Sequence, residues 1–322
     1  MSRTGPGRGR SPGARLSERV GAWGYLLAWR VVRLLPEATA YRLADAVADL
    51  VARRDGRGVR RLRANLARAL PGGQVPEPLV REAVRSYLRY WCDAFRLQDW
   101  DRERVVGTVT TEGPDLLPEA VASGRGAVVA LAHLGNWDHA GAWAHHVLAP
   151  VTTVAERLRP ASVYDRFVRY RQALGIRVLA HDDPEVTATL LAELRRGGLV
   201  CLLADRDLSR RGVAVDLLGE PAHLAAGPAV LAGRTGALLL PVGLTYRPDH
   251  RSPSGYGLRI RFHDAVEVPD DAPETVRRAT AQVAHALGES IRGTPADWHM
   301  LQRVFAADVE PRPDASDAAA GP

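Results

Sequence analysis

The chain has 322 residues, 46% of them hydrophobic and 25% charged, ordinary proportions for a globular protein able to bury a sizeable core. Small disulfide, zinc-finger, fibrous and wholly disordered architectures are excluded, and Cys92 and Cys201 lie too far apart in sequence for a disulfide framework or a CxxC site. The net charge is +6 at pH 7, and all 43 basic residues are arginine, as a GC-biased genome produces and as bidentate contact with phosphate or an anionic surface favours.

Residues 1–18, with GPGRGRSPG, read as a disordered basic arm. The next apolar run, VGAWGYLLAW, meets Arg30 and Arg33 before reaching the roughly 18 residues of a spanning helix, and it lacks a small-residue cleavage site. Trp23, Tyr25, Leu26, Leu27 and Trp29 among Arg19, Arg30 and Arg33 predict a helix that lies on a membrane surface; packing wholly against the core is the competing reading. Pro36 splits the helical pattern that runs to about residue 55, and further helices are predicted over 59–70 and in PEPLVREAVRSYLRYWCDAFRL.

Near Gly124 the pattern changes. GAVVALA, LAPVTTVA, GIRVLA, GLVCLLA, ALLLPVGLTY and LRIRFHD are short β-rich runs separated mainly by helix-like stretches. The first five show little polar alternation, as expected of strands covered on both faces. The predicted fold class is α/β: a mostly parallel central sheet flanked by helices, with an N-terminal amphipathic helical segment. The domain spans 19–306, followed by a flexible acidic tail over 307–322. Within it, Ser162 and Asp165 suggest a capping box ahead of a helix that Gly175 stops.

The sharpest constellation is LAHLGNWDHAGAW. His133 follows a strand-like run directly, Leu134 and Gly135 make a turn, and Asn136 is a candidate cap for a helix with Asp138 in its first turn. Open α/β sheets bind ligands at this end of their strands. A histidine oriented by a carboxylate suits general-base chemistry, and Asp138 is one candidate partner. A metal site competes, because His139, His145 and His146 follow closely; the spacing is not HExxH, and adjacent His145 and His146 cannot share a helix face. The same residues would also fit a strand-end histidine and a dipole-stabilised aspartate with no chemistry.

A second cluster follows another buried run in GLVCLLADRDLSRRG, where Asp205, Arg206 and Asp207 reach the same end of the sheet. Either acid is an alternative orienting partner for His133. Arg157, Arg159, Arg171, Arg206, Arg210 and Arg211 would serve an anionic headgroup or a phosphorylated acyl donor, Arg171 best because it lies beside an apolar helix stripe. In LLGEPAHLAAGPAVLAGRTGA, Gly219, Glu220 and Pro221 suggest a tight turn and Gly227–Pro228 opens a helix; the glycines have neither GxGxxG nor P-loop spacing.

Taken in order, His133-LGNW-Asp138, ERLRP, YDRFVRYRQALG, LLADRDLSRRG and the LLGEPA segment resemble the bacterial lysophospholipid acyltransferase superfamily. The closest resemblance is to its lipid A biosynthesis branch and, within that, to the actinobacterial phosphatidylinositol mannoside acyltransferases. The resemblance implies a glycerolipid acyltransferase-like fold and transfer of a palmitoyl-like group from acyl-coenzyme A to a mannose hydroxyl of a phosphatidylinositol mannoside. It implies no cofactor, metal or nucleic-acid partner, and a peripheral position at the cytoplasmic face of the plasma membrane. It gives His133 as base, Asp138 as motif partner and Asp205 as the acidic partner that relatives can carry as glutamate. Glu156, Arg171, Arg206, Arg211 and Glu220 would bind substrate. Another glycolipid or lysophospholipid acceptor, an esterase and a membrane scaffold remain as alternatives.

Overall fold

The computed structural model describes residues 24, 27–114, 116–157, 160–207 and 212–309. A helix over residues 27–34 (α1) leads through Pro36 into α2 (Glu37–Arg54), α3 (Arg57–Ala69) and α4 (Glu77–Arg96). The break at Pro36 matches expectation, since proline has no N–H for a helix interior and restrains the residue before it. Helices α2, α3 and α4 bury a small core of their own around Ala48, Leu62, Leu66, Val80 and Val84.

Alternation then begins: α5 (Arg102–Gly107), β1 (Val109–Glu112), α6 (Leu117–Ala122), β2 (Ala127–Leu131), α7 (Trp137–Val147), β3 (Val151–Ala155), α8 (Ala161–Ala173), β4 (Ile176–Ala180), α9 (Val186–Arg195) and β5 (Leu199–Leu203). A hairpin of β6 (Val213–Leu217) and β7 (Glu220–Leu224) precedes α10 (Gly227–Thr235), β8 (Leu238–Pro248), β9 (Tyr256–Phe262) and α11 (Pro273–Gly293). Seven strands form one sheet in the order β1-β9-β8-β2-β5-β3-β4, parallel at every pairing except β8 with β9. The α/β, mostly parallel expectation holds.

Residues of β2 alternate between two cores. Val128 and Ala130 join the layer under α10 and α11, whereas Ala127, Val129 and Leu131 join the layer under α4, α7 and α8. Burial on both faces is why this strand reads as an unbroken apolar run.

Three local expectations are corrected. Helix α8 is capped at Pro160 without a side-chain hydrogen bond, so Ser162 and Asp165 lie inside it and form no capping box; Gly175, at φ +76°, does end it. The tight turn falls at Leu218–Gly219, both with positive φ, and Glu220 and Pro221 open β7 instead. The tail boundary at 306/307 cuts a 3-10 turn whose Asp308 pairs with Arg61 at 2.7 Å and Arg68 at 3.1 Å. Residues 1–18 and 310–322 lie outside the described residues. No helix among the described residues is long and apolar enough to cross a membrane.

Candidate active site

The register of two neighbouring strands builds the centre. In the β2–β5 pair Leu131 stands opposite Leu203, and Ala204 N–H donates to Leu131 C=O at 2.7 Å. Two residues beyond each strand, His133 and Asp205 therefore face one another. Asp205 Oδ1 accepts from His133 Nδ1 at 2.7 Å, and Oδ2 accepts from the His133 backbone N–H at 2.9 Å. The Trp298 indole Nε1–H completes the set on Oδ2 at 3.0 Å.

Asp205 is wholly buried. Burial alone would raise its pKa, but the charge of His133 and the hydrogen bonds from His133 and Trp298 outweigh it and hold the carboxyl below its usual range. An ionised Asp205 fixes the proton on Nδ1 of the neutral imidazole, leaving Nε2 as the lone pair for a substrate. His133 keeps 27% of its side chain exposed.

The turn after His133 is pinned from several sides. Gly135 has φ +59°, and a Cβ there would stand 2.7 Å from Leu244 C=O, so only glycine fits. Asn136 caps α7, its side chain accepting from His139 N–H at 2.9 Å while its amide donates to buried Asp93 at 3.1 Å. The segment 297–299 runs alongside: His299 N–H donates to His133 C=O at 2.7 Å, and Gly135 N–H to Asp297 C=O at 2.9 Å.

Asp138 lies in the first turn of α7 as expected, but its carboxylate is turned away from the orienting role. It accepts from Arg171 Nε at 2.7 Å and from Tyr90 O–H at 3.0 Å. Burial opposes the charge on Arg171, and the adjacent Asp138 more than compensates, so its pKa is raised further.

His133 and Arg171 line one cleft of about 660 Å³ together with Glu156 and Arg206, whose charged ends stand 3.6 Å apart. Among the described residues the buried Arg206 Nε–H has no hydrogen-bond partner. Glu220 is not a cleft residue: it pairs with Arg68 at 2.7 Å, since the β6–β7 hairpin turns it toward α3. Arg211, Arg159 and Arg210 lie outside the described residues.

A second, narrow apolar cavity of about 80 Å³ sits under α7, lined among others by Val129, Leu199, Cys201 and Ile260. Trp137, Val154, Arg171 and Leu203 line both spaces, so the cavity lies against the cleft and shares a wall with it at the Asp138–Arg171 pair. Burial raises the Cys201 thiol to about 12, which keeps it neutral and apolar there.

Sequence reasoning missed Trp298, His299, Tyr90 and Trp137. Burial lowers the pKa of His299 to about 3, its Nε2 lies 3.0 Å from Ser86 Oγ, and its ring packs with those of Tyr90 and Trp137. For Tyr90, Trp298 and His299 the signal was the concentration of aromatic and ionisable residues in SYLRYW and ADWHM, whereas Trp137 stands inside the His133–Asp138 motif itself.

Residues 8–307 match the model of the bacterial lipid A biosynthesis acyltransferases. The chain belongs to that family. It is 43% identical over 293 residues to a phosphatidylinositol mannoside acyltransferase of Mycolicibacterium smegmatis, covering 89% of this chain and 91% of that protein. The phosphatidylinositol mannoside acyltransferase of Mycobacterium tuberculosis is 39% identical over 311 residues, 93% of each chain. In a chain of this family, His133, hydrogen-bonded to Asp205, lines a cleft that shares a wall with an apolar cavity.

Proposed function

We propose that this protein transfers a long acyl chain, palmitoyl by preference, from acyl-coenzyme A to a mannose hydroxyl of a phosphatidylinositol mannoside. The hydroxyl is the 6-position of the mannose on inositol position 2. The observation that carries the reading is the His133–Asp205 dyad opening on a cleft beside an apolar cavity, in a chain so similar to the mycobacterial enzymes.

His133 Nε2 takes the proton from the acceptor hydroxyl as its oxygen attacks the thioester carbonyl, and Asp205 stabilises the imidazolium that forms. Collapse of the tetrahedral species breaks the carbon–sulfur bond. The coenzyme A thiolate leaves and receives the proton from His133. Arg206, with Glu156 beside it, and Arg171 offer charged contacts for the phosphates and sugar of the substrates. The reaction as written uses no cofactor or metal.

The acceptor reaches the cleft from a membrane surface. Seven of the nine exposed large hydrophobic residues among the described residues lie on α1 and α2: Leu27, Val31, Leu34, Leu43, Val47, Leu50 and Val51. Exposed Arg30, Arg42, Arg53 and Arg54 flank them, the pairing of apolar face and basic rim that suits an anionic leaflet at the cytoplasmic side. Trp29 departs from its expected place at the headgroups. It is buried, 5.2 Å from the Phe95 ring centroid and edge-on to Tyr170. Trp23, Tyr25 and Leu26 lie outside the described residues.

The test incubates purified protein with radiolabelled palmitoyl-coenzyme A and separated acceptors: phosphatidylinositol mannosides, other glycolipids and lysophospholipids, with mapping of the acylated position. Preferred transfer to the mannoside supports the proposal. Preferred transfer to another acceptor changes the substrate, and fatty-acid release at the same rate without acceptor would mark an esterase.

A further inference from the structure

Asp205 is a short acid at the end of β5, and three N–H groups from two other parts of the chain hold it. Among the described residues its Oδ1 receives the imidazole alone, whereas Oδ2 receives two N–H groups, the His133 main chain at 2.9 Å and the Trp298 indole at 3.0 Å. Trp298 is wholly buried and cannot drift: its backbone pairs with Leu134, His299 N–H holds His133 C=O, and its ring meets Phe305 edge-on at 6.4 Å.

We propose that Trp298 is a positioning residue for the base: its indole N–H aims the Asp205 carboxylate at His133 Nδ1 and sets how strongly that carboxylate holds the imidazole proton. The inference rests on the general-base reading of His133 given above. Two donors on Oδ2 draw negative charge away from Oδ1, so the carboxylate orients the imidazole without binding the imidazolium so tightly that the proton cannot pass on to the leaving thiolate. With the indole donor gone, the carboxylate has a rotation to explore and its charge concentrates on Oδ1. The imidazolium is then favoured, and the neutral base is present only at higher pH.

Trp298→Phe preserves most of the buried ring and removes the donor. In the palmitoyl transfer assay with the full chain, kcat is expected to fall about tenfold with the donor and acceptor KM unchanged. The acid limb of the pH–rate profile should move to higher pH by about half a unit. An unchanged kcat and limb, with only a lower Tm, would make Trp298 a packing residue and overturn the proposal.

A measurement on the unaltered protein covers a variant that does not fold. With ¹⁵N-indole tryptophan, assigned through substitutions at the other tryptophans, the Trp298 N–H resonance should titrate together with the His133 imidazole. Indifference of that resonance to the titration overturns the proposal as well. If the unaltered protein transfers acyl groups to no acceptor, the functional reading fails, and the resonance still decides whether Trp298 senses the dyad.

Discussion

Asp138 and Arg171 form a part-buried ion pair, Arg171 Nε donating at 2.7 Å, that ties α7 to α8 and occupies the carboxylate nearest His133 in sequence. The acid of the His-x4-Asp spacing is thus a brace for the cleft wall, and the orienting acid arrives from β5. The two roles separate experimentally. Asp205→Asn should lower turnover by about 10²–10⁴-fold with little change in donor affinity, because its charge is felt when the imidazolium develops. Asp138→Asn should instead destabilise, by less than the about 3–5 kcal/mol of a fully buried pair, because it leaves the part-buried Arg171 guanidinium at the cleft wall without its carboxylate. Urea unfolding and single-turnover kinetics on both variants check this; the reverse pattern would restore Asp138 as the partner of His133.

In the proposed mechanism His133→Ala removes the proton acceptor while sparing the strand that precedes it. Acyl transfer should fall by about 10²–10⁴-fold with an unchanged circular dichroism spectrum. Retention of more than half the rate would remove His133 from the chemistry.

Membrane attachment should follow the outer face of α2 rather than Trp29. Replacing Leu43, Val47 and Leu50 together with serine should reduce flotation with anionic vesicles in high salt, where arginine is screened and apolar insertion remains. Trp29→Ser should lower Tm, since it empties a buried aromatic site. Equal flotation of the triple variant and the unaltered protein would exclude the α2 face.

His139 supplies a pH dependence of stability that is separate from the His133–Asp205 pair. It is buried, with Nε2 2.9 Å from Val105 C=O, and burial lowers its pKa to about 4. The unfolded chain binds its proton near pH 6.5, so the His139 contribution to stability is complete above that pH. It is lost as pH falls toward 4, at up to ~1.4 kcal/mol per pH unit. Denaturant unfolding of His139→Gln and of the unaltered protein should show a stability gap that narrows over this range. A gap constant from pH 7 to 4 would assign the acid sensitivity elsewhere.

Local features of the chain determined the alternation of strands and helices, the break at Pro36, the cap at Asn136 and the placement of His133 at a strand end. Each depends on residues within a few positions of one another, through apolar period, missing N–H groups or turn geometry. The choice of Asp205 over Asp138 was decided by tertiary structure, because β5 inserts between β2 and β3 and brings residues 133 and 205 into register. The same holds for Glu220, which its hairpin turns to Arg68, and for Trp29, whose apolar ring fits a core site as well as a membrane. Trp298 reaches the dyad only because the chain after α11 returns along the His133 turn. Periodicity reports which face of an element is buried, but the neighbour of a parallel strand is set by crossover connections, whose order no local pattern encodes.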